Sequence, residues 1–284
     1  MTMIAALKSR VREIRRSNHD ARLQRSLGKV DAFLVSYPKS GRTWLRYLMS
    51  LYMARVYDLG FEPDLRSTFR VLPNFDMDKE RGLPSSEALG PTKMPLVAVS
   101  HRDFDRDLFS AKRTIMLVRD PRDVLVSSYF HQTRHKHRFE GDIAEFLEDE
   151  TYGAAAVASY HNGWATGLAG GQALTISYEE LSEDTHGVVR NILNFLGIAV
   201  DEQVLDDAVR KAQFDKMRKK EQQTGIPGHE YNREDADASR VRRGKVAGYT
   251  DYLGPAEDAR VQELFAAHLK PEAKALYSPT GFMV

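Results

Sequence analysis

A lysine, a serine, a threonine and a tryptophan crowd one short turn. Tyr37, Pro38, Lys39, Ser40, Gly41, Arg42, Thr43 and Trp44 follow the apolar run Phe33, Leu34, Val35. The order strand, tight turn, helix start aims backbone N–H groups and a helix N-terminus at an anion. Lys39 adds a point charge, Ser40 and Thr43 add hydroxyl donors, and Trp44 adds a flat apolar face. A ligand with phosphate-like groups and an aromatic ring matches that set. The turn departs from the Walker A pattern G-x-x-x-x-G-K-[ST]. Gly41 is followed by Arg42, Ser36 stands at the first glycine position, and the lysine precedes the glycine. A Walker B strand ends in a Mg²⁺-binding aspartate, whereas Thr114–Val118 runs into Arg119. The pattern is a phosphate cradle, and no metal site is expected beside it.

Two more segments carry cations at the places where an anion would bind. Thr114–Val118, Arg119, Asp120, Pro121 and the residues to Tyr129 form a second strand–turn–helix unit. Asp120 suits the cap and Pro121 the first helical turn. Arg119 ends the strand, where open α/β sheets bind ligands, and Ser127 follows two helical turns later. Read alone, Arg119 would pair with Asp120 or Asp123. Further on, Arg242–Gly248 packs three cations and two glycines into seven residues. Glycine lets backbone approach an anion, and arginine grips phosphate with two parallel N–H bonds.

The three segments, in this order, resemble the cytosolic type of PAPS-dependent sulfotransferase (PAPS is 3′-phosphoadenosine 5′-phosphosulfate). Tyr37 to Trp44 is similar to the family's 5′-phosphosulfate loop, Arg119 to Ser127 to its 3′-phosphate site, and Arg242-Arg243-Gly244 to its late Arg-Lys-Gly motif. Ile176-Ser177-Tyr178-Glu179 resembles the segment whose tyrosine reaches the adenine, and Phe214 with Met217 the Phe-x-x-Met that packs on it. The resemblance covers roughly residues 30–253. Arg42 replaces the family's usual threonine, Arg243 replaces lysine, and Lys-Thr-His becomes Val99-Ser100-His101. The family's dimer motif would fall near Thr250–Ala259 and is not found there.

The resemblance implies an α/β fold, a single domain with a central parallel sheet flanked by helices. It implies PAPS as co-substrate, adenosine 3′,5′-bisphosphate as product, and a small-molecule hydroxyl acceptor. The donor site it implies comprises Lys39, Ser40, Gly41, Arg42, Thr43, Trp44, Arg119, Ser127, Tyr178, Phe214, Met217, Arg242, Arg243 and Gly244. The catalytic set it implies is Lys39, His101 and Ser127. Lys39 would stabilise the leaving phosphate, and His101 would take the acceptor's proton, since imidazole titrates near neutral pH. Without the resemblance, His101 reads as a capping or surface histidine. Two other readings compete: a P-loop nucleotide kinase or NTPase, and an adenosine-bisphosphate-binding module without catalysis.

Composition bounds the rest. The chain has 284 residues, a net charge of +1 and no cysteine, so disulfides and thiolate chemistry are excluded and no nucleic-acid partner is implied. With no long apolar run and no signal-peptide core, a cytoplasmic protein is expected. Residues 1–30 hold eight Lys or Arg, with Ile4, Leu7, Val11 and Ile14 at helical spacing. That pattern suits a surface helix over 1–28, or weak contact with an anionic membrane surface. His131, His135 and His137 alternate with cations and read as a polar helix end at the acceptor pocket. Tyr160 and Trp164 read as core.

The elements that must position these groups are legible from periodicity. Helices are expected at 3–27, 42–57, from 121, 142–150, 154–168, 183–196 and 201–211. Strands are expected at 31–37, 96–100, 114–119 and 173–177. Residues 58–95, with five prolines, read as a long loop on the acceptor side. Residues 218–240 are polar, hold Gly225 to Gly228, and read as a mobile lid.

Overall fold

The computed structural model describes residues 18–225 and 244–283. Four short strands form one parallel sheet in the order β2-β1-β3-β4: β1 Ala32–Val35, β2 Val97–Ser100, β3 Arg113–Val118 and β4 Ala173–Ser177. β1 pairs with both β2 and β3, placing Val35 beside Ser100 on one side and Met116 on the other. β3 pairs with β4, placing Val118 beside Ser177.

Both faces of the sheet are covered, so β1 and β2 are buried along their whole length. The period-two alternation of a strand divides their side chains between two cores. Phe33, Val35, Ala98, Met116 and Val118 pack against the helices Pro121–Phe130, Ala154–Leu168, Pro255–His268 and Pro271–Tyr277. Ala32, Leu34, Val97, Val99, Ile115 and Leu117 pack against Arg42–Val56, Thr185–Leu196, Glu202–Lys211 and Phe214–Thr224. Trp164 and Tyr160 are buried, as their helical spacing predicted.

Several boundaries differ from the sequence reading, each for a local reason. β1 ends at Val35, because the chain turns away at Ser36 to build the phosphate loop. The expected helix 183–196 is present as Thr185–Leu196, and a separate short helix, Tyr178–Glu183, precedes it across Asp184. Ser177 and Glu180 form a capping box for the first, and Asp184 caps the second by accepting from the Gly187 N–H. The 58–95 loop contains the short helices Thr68–Val71 and Leu83–Ser86, and Asn74 bridges Val99 at the sheet edge.

The stretch read as a lid starts as helix, since Phe214–Thr224 continues through its first residues. Residues 226–240 of it, and Arg242 and Arg243, lie outside the described residues, as do Ile4, Leu7, Val11 and Ile14. Residues 18–26 are helical, with Leu23 buried and Asp20 ion-paired to Arg102 at 2.6 Å.

Candidate active site

A parallel sheet brings all its strand C-termini to one edge, and here each C-terminus delivers a polar or aromatic group. β1 leads to Lys39, β2 to His101, β3 to Arg119 and β4 to Tyr178. A cavity of about 330 Å³ opens at that edge, within the usual range for a small-ligand site. Its walls include Lys39, Gly41, Arg42, Thr43, Trp44, His101, Arg119, Ser127, Tyr178, Phe214, Met217 and Gly244. Twelve positions singled out in the sequence thus share one cavity.

The loop geometry depends on left-handed backbone. Lys39 has φ +77° and Gly41 φ +90°. Such a φ is uncommon for a non-glycine residue and clusters at functional sites. At Gly41 a side chain is excluded twice, since a Cβ there would also overlap the Tyr178 ring. Gly41 then caps Arg42–Val56, so this helix points its N-terminus at the cavity. Ser40 departs from expectation: its side chain is buried, does not line the cavity, and its Oγ has no hydrogen-bond partner.

His101 follows β2 directly, and its Nδ1 lies 2.7 Å from the Ser36 carbonyl oxygen. A carbonyl only accepts, so Nδ1 carries the proton and the ring's lone pair resides on Nε2. The loop after β1 therefore sets the tautomer of the histidine after β2.

Arg119 is a hub. Its guanidinium donates to the Lys39 carbonyl at 3.4 Å, the Lys245 carbonyl at 3.1 Å and Asp123 at 3.0 Å. It also lies 4.2 Å from the Tyr178 ring centre. The pairing with Asp123, which sequence left as an alternative, is present. It coexists with a place on the cavity wall and with a buried Nε that has no partner. Asp123 in turn accepts from the Tyr249 N–H at 2.8 Å, tying the Gly244–Gly248 loop to the same point.

Next to this hub, Arg122 pairs with Asp120 at 2.7 Å and with Asp258 at 3.1 Å. Glu179 accepts from the Asp120 N–H at 3.0 Å. Burial, partly offset by that hydrogen bond, pushes its carboxyl up to about 7.

The aromatic group is arranged edge to face. Trp44 meets Tyr178 with ring centres 5.7 Å apart, and Phe214 lines the same cavity. A Cβ at Gly244 would overlap Phe214, so that glycine lets the late loop close on the ring. Trp44 Nε1 is buried without a partner. Orphaned donors at Trp44 Nε1 and Arg119 Nε, with cations and flat rings around one cavity, fit an anionic nucleotide.

Sequence reasoning missed Asp123 and Gln132 as cavity residues, while Lys245 and Gly248, the third cation and second glycine of the late loop, do line it. Asp123 was visible only as a partner for Arg119. Gln132 belongs to no motif, and only the folded chain brings it to the cavity.

Comparison with known proteins gives the same class. Residues 29–272 match the sulfotransferase domain family. A 3-alpha-hydroxysteroid sulfotransferase of Cavia porcellus is 26% identical over 259 residues, covering 87% of this chain and 86% of that protein. Sulfotransferase 2A1 of Homo sapiens is 29% identical over 196 residues, 66% of each chain. The crystal structure of mouse sulfotransferase SULT7A1 complexed with PAP superposes with a TM-score of 0.61 at 23% identity, covering 90% of this chain and 92% of that one. Retinol dehydratase in a complex with retinol and PAP gives 0.57 at 22% identity, covering 86% and 82%.

The chain belongs to the sulfotransferase family. It is a PAPS-dependent sulfotransferase, and the kinase and non-catalytic readings fall away.

Proposed function

We propose that the sheet-edge cavity is the site of transfer and that Lys39, His101 and Ser127 do its chemistry on a small-molecule hydroxyl acceptor. One observation carries this reading: His101, with its tautomer set by the Ser36 carbonyl, opens onto the same cavity as Lys39 and the helix N-terminus at Gly41. His101 takes the acceptor's proton at Nε2 as the acceptor oxygen bonds to sulfur. Lys39 and the loop N–H groups meet the charge that builds on the departing 5′-phosphate. Arg119 and Ser127 hold the 3′-phosphate, joined by Arg242 and Arg243. Trp44 and Phe214 take the two faces of the adenine, with Tyr178 at its edge and Met217 on the same cavity wall. A flat apolar pair suits a nucleobase.

The whole chain forms one domain in this reading. Among the described residues no helix is long and apolar enough to cross a membrane. Steroid sulfotransferases among the relatives make a hydroxylated small molecule the first acceptor class to assay.

Purified Lys39→Ala and His101→Ala variants separate the two roles. Lys39→Ala should lose both PAPS affinity and turnover. His101→Ala should keep PAPS affinity and lose about 10²–10⁴-fold in turnover. Near-normal turnover of His101→Ala across pH 6–9 would assign the base to another residue, with His131 the next to test.

A further inference from the structure

One carboxylate behind the cavity wall is held at one oxygen and left bare at the other. Glu179 follows Tyr178, which lines the cavity and whose ring centre lies 4.2 Å from the Arg119 guanidinium. Glu179 Oε1 accepts the Asp120 N–H at 3.0 Å, and that N–H belongs to the peptide joining Arg119 to Asp120. The carboxylate therefore pins the chain directly behind Arg119. Glu179 Oε2 is buried and has no hydrogen-bond partner. A buried oxygen left unpaired is costly, and more so when it carries charge.

Arg119 is the cation that favours the ionised form of Glu179. Burial disfavours that form, the Asp120 N–H and the Arg119 guanidinium support it, and the Asp120 carboxylate opposes it. On the turn after β3, Asp120 is engaged by Arg122, and Asp123 by Arg119. On its own helix, Glu180 accepts from the Ser177 N–H at 2.9 Å. Strand β4 and the turn Ser278–Thr280 pack against that helix and carry no charged side chain. The following helix brings His186 and Arg190, which pair with Asp206 and Glu202.

Arg119 also lines the cavity, where the reading above puts a phosphate of the donor. A phosphate on that guanidinium cancels its attraction for Glu179 and adds repulsion between like charges. A solvent proton added to Oε2 relieves both, while Oε1 keeps its bond to the Asp120 N–H. We infer that binding of the donor nucleotide draws a proton onto Glu179, which makes this carboxyl a positioning residue that couples donor affinity to pH. The inference rests on the donor-site reading above. Without nucleotide, Glu179 stands at about 7. Below that pH the proton is already in place. Above it, each nucleotide must recruit the proton, so affinity falls as pH rises.

The experiment titrates adenosine 3′,5′-bisphosphate into the full chain by calorimetry, in two non-phosphate buffers of different protonation enthalpy. At pH 7.5, wild type should take up about half a proton more per nucleotide than Glu179→Gln. Titration of the nucleotide's own phosphates is common to both proteins and cancels in the difference. The Gln side chain keeps a carbonyl oxygen for the Asp120 N–H, so a merely structural role would leave the proton count unchanged. Wild-type affinity should fall about threefold or more from pH 7 to 8.5. Glu179→Gln should have the flatter profile and bind more tightly than wild type at pH 8.5. Glu179→Ala, which loses the tie behind Arg119, should bind weakly at every pH.

Equal proton uptake in wild type and Glu179→Gln overturns the proposal, as do parallel pH profiles. A wild-type affinity that holds steady from pH 7 to 8.5 does the same without any variant, and so does a Glu179→Ala protein that binds as tightly as wild type. A wild type that fails to bind adenosine 3′,5′-bisphosphate overturns the donor-site reading itself.

Discussion

Two buried polar regions support the cavity, and they do so in opposite ways. The first is the charged seam at the ends of β3 and β4: Arg119 with Asp123, and Arg122 with Asp120 and Asp258. The second is a neutral cluster made of Tyr37, Tyr160, His161 and Tyr277, which meets the loop after β1 through Tyr37. Tyr37 stacks edge-on to Tyr160 at 5.4 Å. His161 Nδ1 lies 2.7 Å from the Tyr277 hydroxyl and 2.9 Å from the Val157 carbonyl, so one N–H can serve both oxygens.

Burial pushes the Tyr37 phenol up to about 12, with Asp103 adding to the effect, and pushes His161 down to about 4. Both groups therefore stay neutral. Cations at the seam place positive potential where an anion is to bind. Charge is kept for the region that meets charge.

The largest expected difference comes from removing one charge in the seam. Asp123→Ala leaves Arg119 buried without its carboxylate and cuts the tie to Tyr249. Losing one partner of a buried pair costs about 3–5 kcal/mol, to be read from urea unfolding. The same variant should lower the preference for adenosine 3′,5′-bisphosphate over AMP, because Arg119 is no longer oriented. A preference that persists would remove Arg119 from the 3′-phosphate site.

The pH dependence of stability separates the regions next. His161 has a depressed folded value, so the unfolded chain binds a proton between pH 6.5 and about 4 that the folded chain refuses. Its contribution is complete above pH 6.5 and lost as pH falls to about 4, on the order of 3 kcal/mol. Glu179 has a raised folded value, so its contribution is complete below pH 4.5 and lost as pH rises through about 7. Denaturation across pH 4–8 should show the acid-side loss flattened in His161→Gln and a gain near pH 8 in Glu179→Gln. Parallel curves for the two variants would show that the regions do not differ in this way.

The smallest effect belongs to the neutral cluster. Tyr277→Phe removes one hydroxyl and leaves His161 Nδ1 its bond to Val157, so about 1 kcal/mol is expected. A thermal scan giving a loss as large as that of Asp123→Ala would contradict the contrast drawn here.

Much of the donor site was legible because it is local. A glycine that must adopt φ +90°, a lysine two residues before it and a helix start directly after are close in sequence, so one motif contains their geometry. Arg119 was likewise placed by the strand it ends, and Asp120 and Pro121 cap the next helix as their types predicted. The resemblance linked these segments and named the reaction.

What sequence could not supply was the set of contacts between segments distant in the chain. The Ser36 carbonyl sets the His101 tautomer across 65 residues, and Asp123 holds Tyr249 across 126. Spacing and periodicity determined the α/β class and the phosphate loop, because backbone preference and burial pattern act over a few residues, and the resemblance supplied the family. The tautomer of His101, the double engagement of Arg119 and the arrival of Gln132 at the cavity were decided only by folding. Parallel pairing brings the strand ends to one edge, and no local pattern records which side chains meet there.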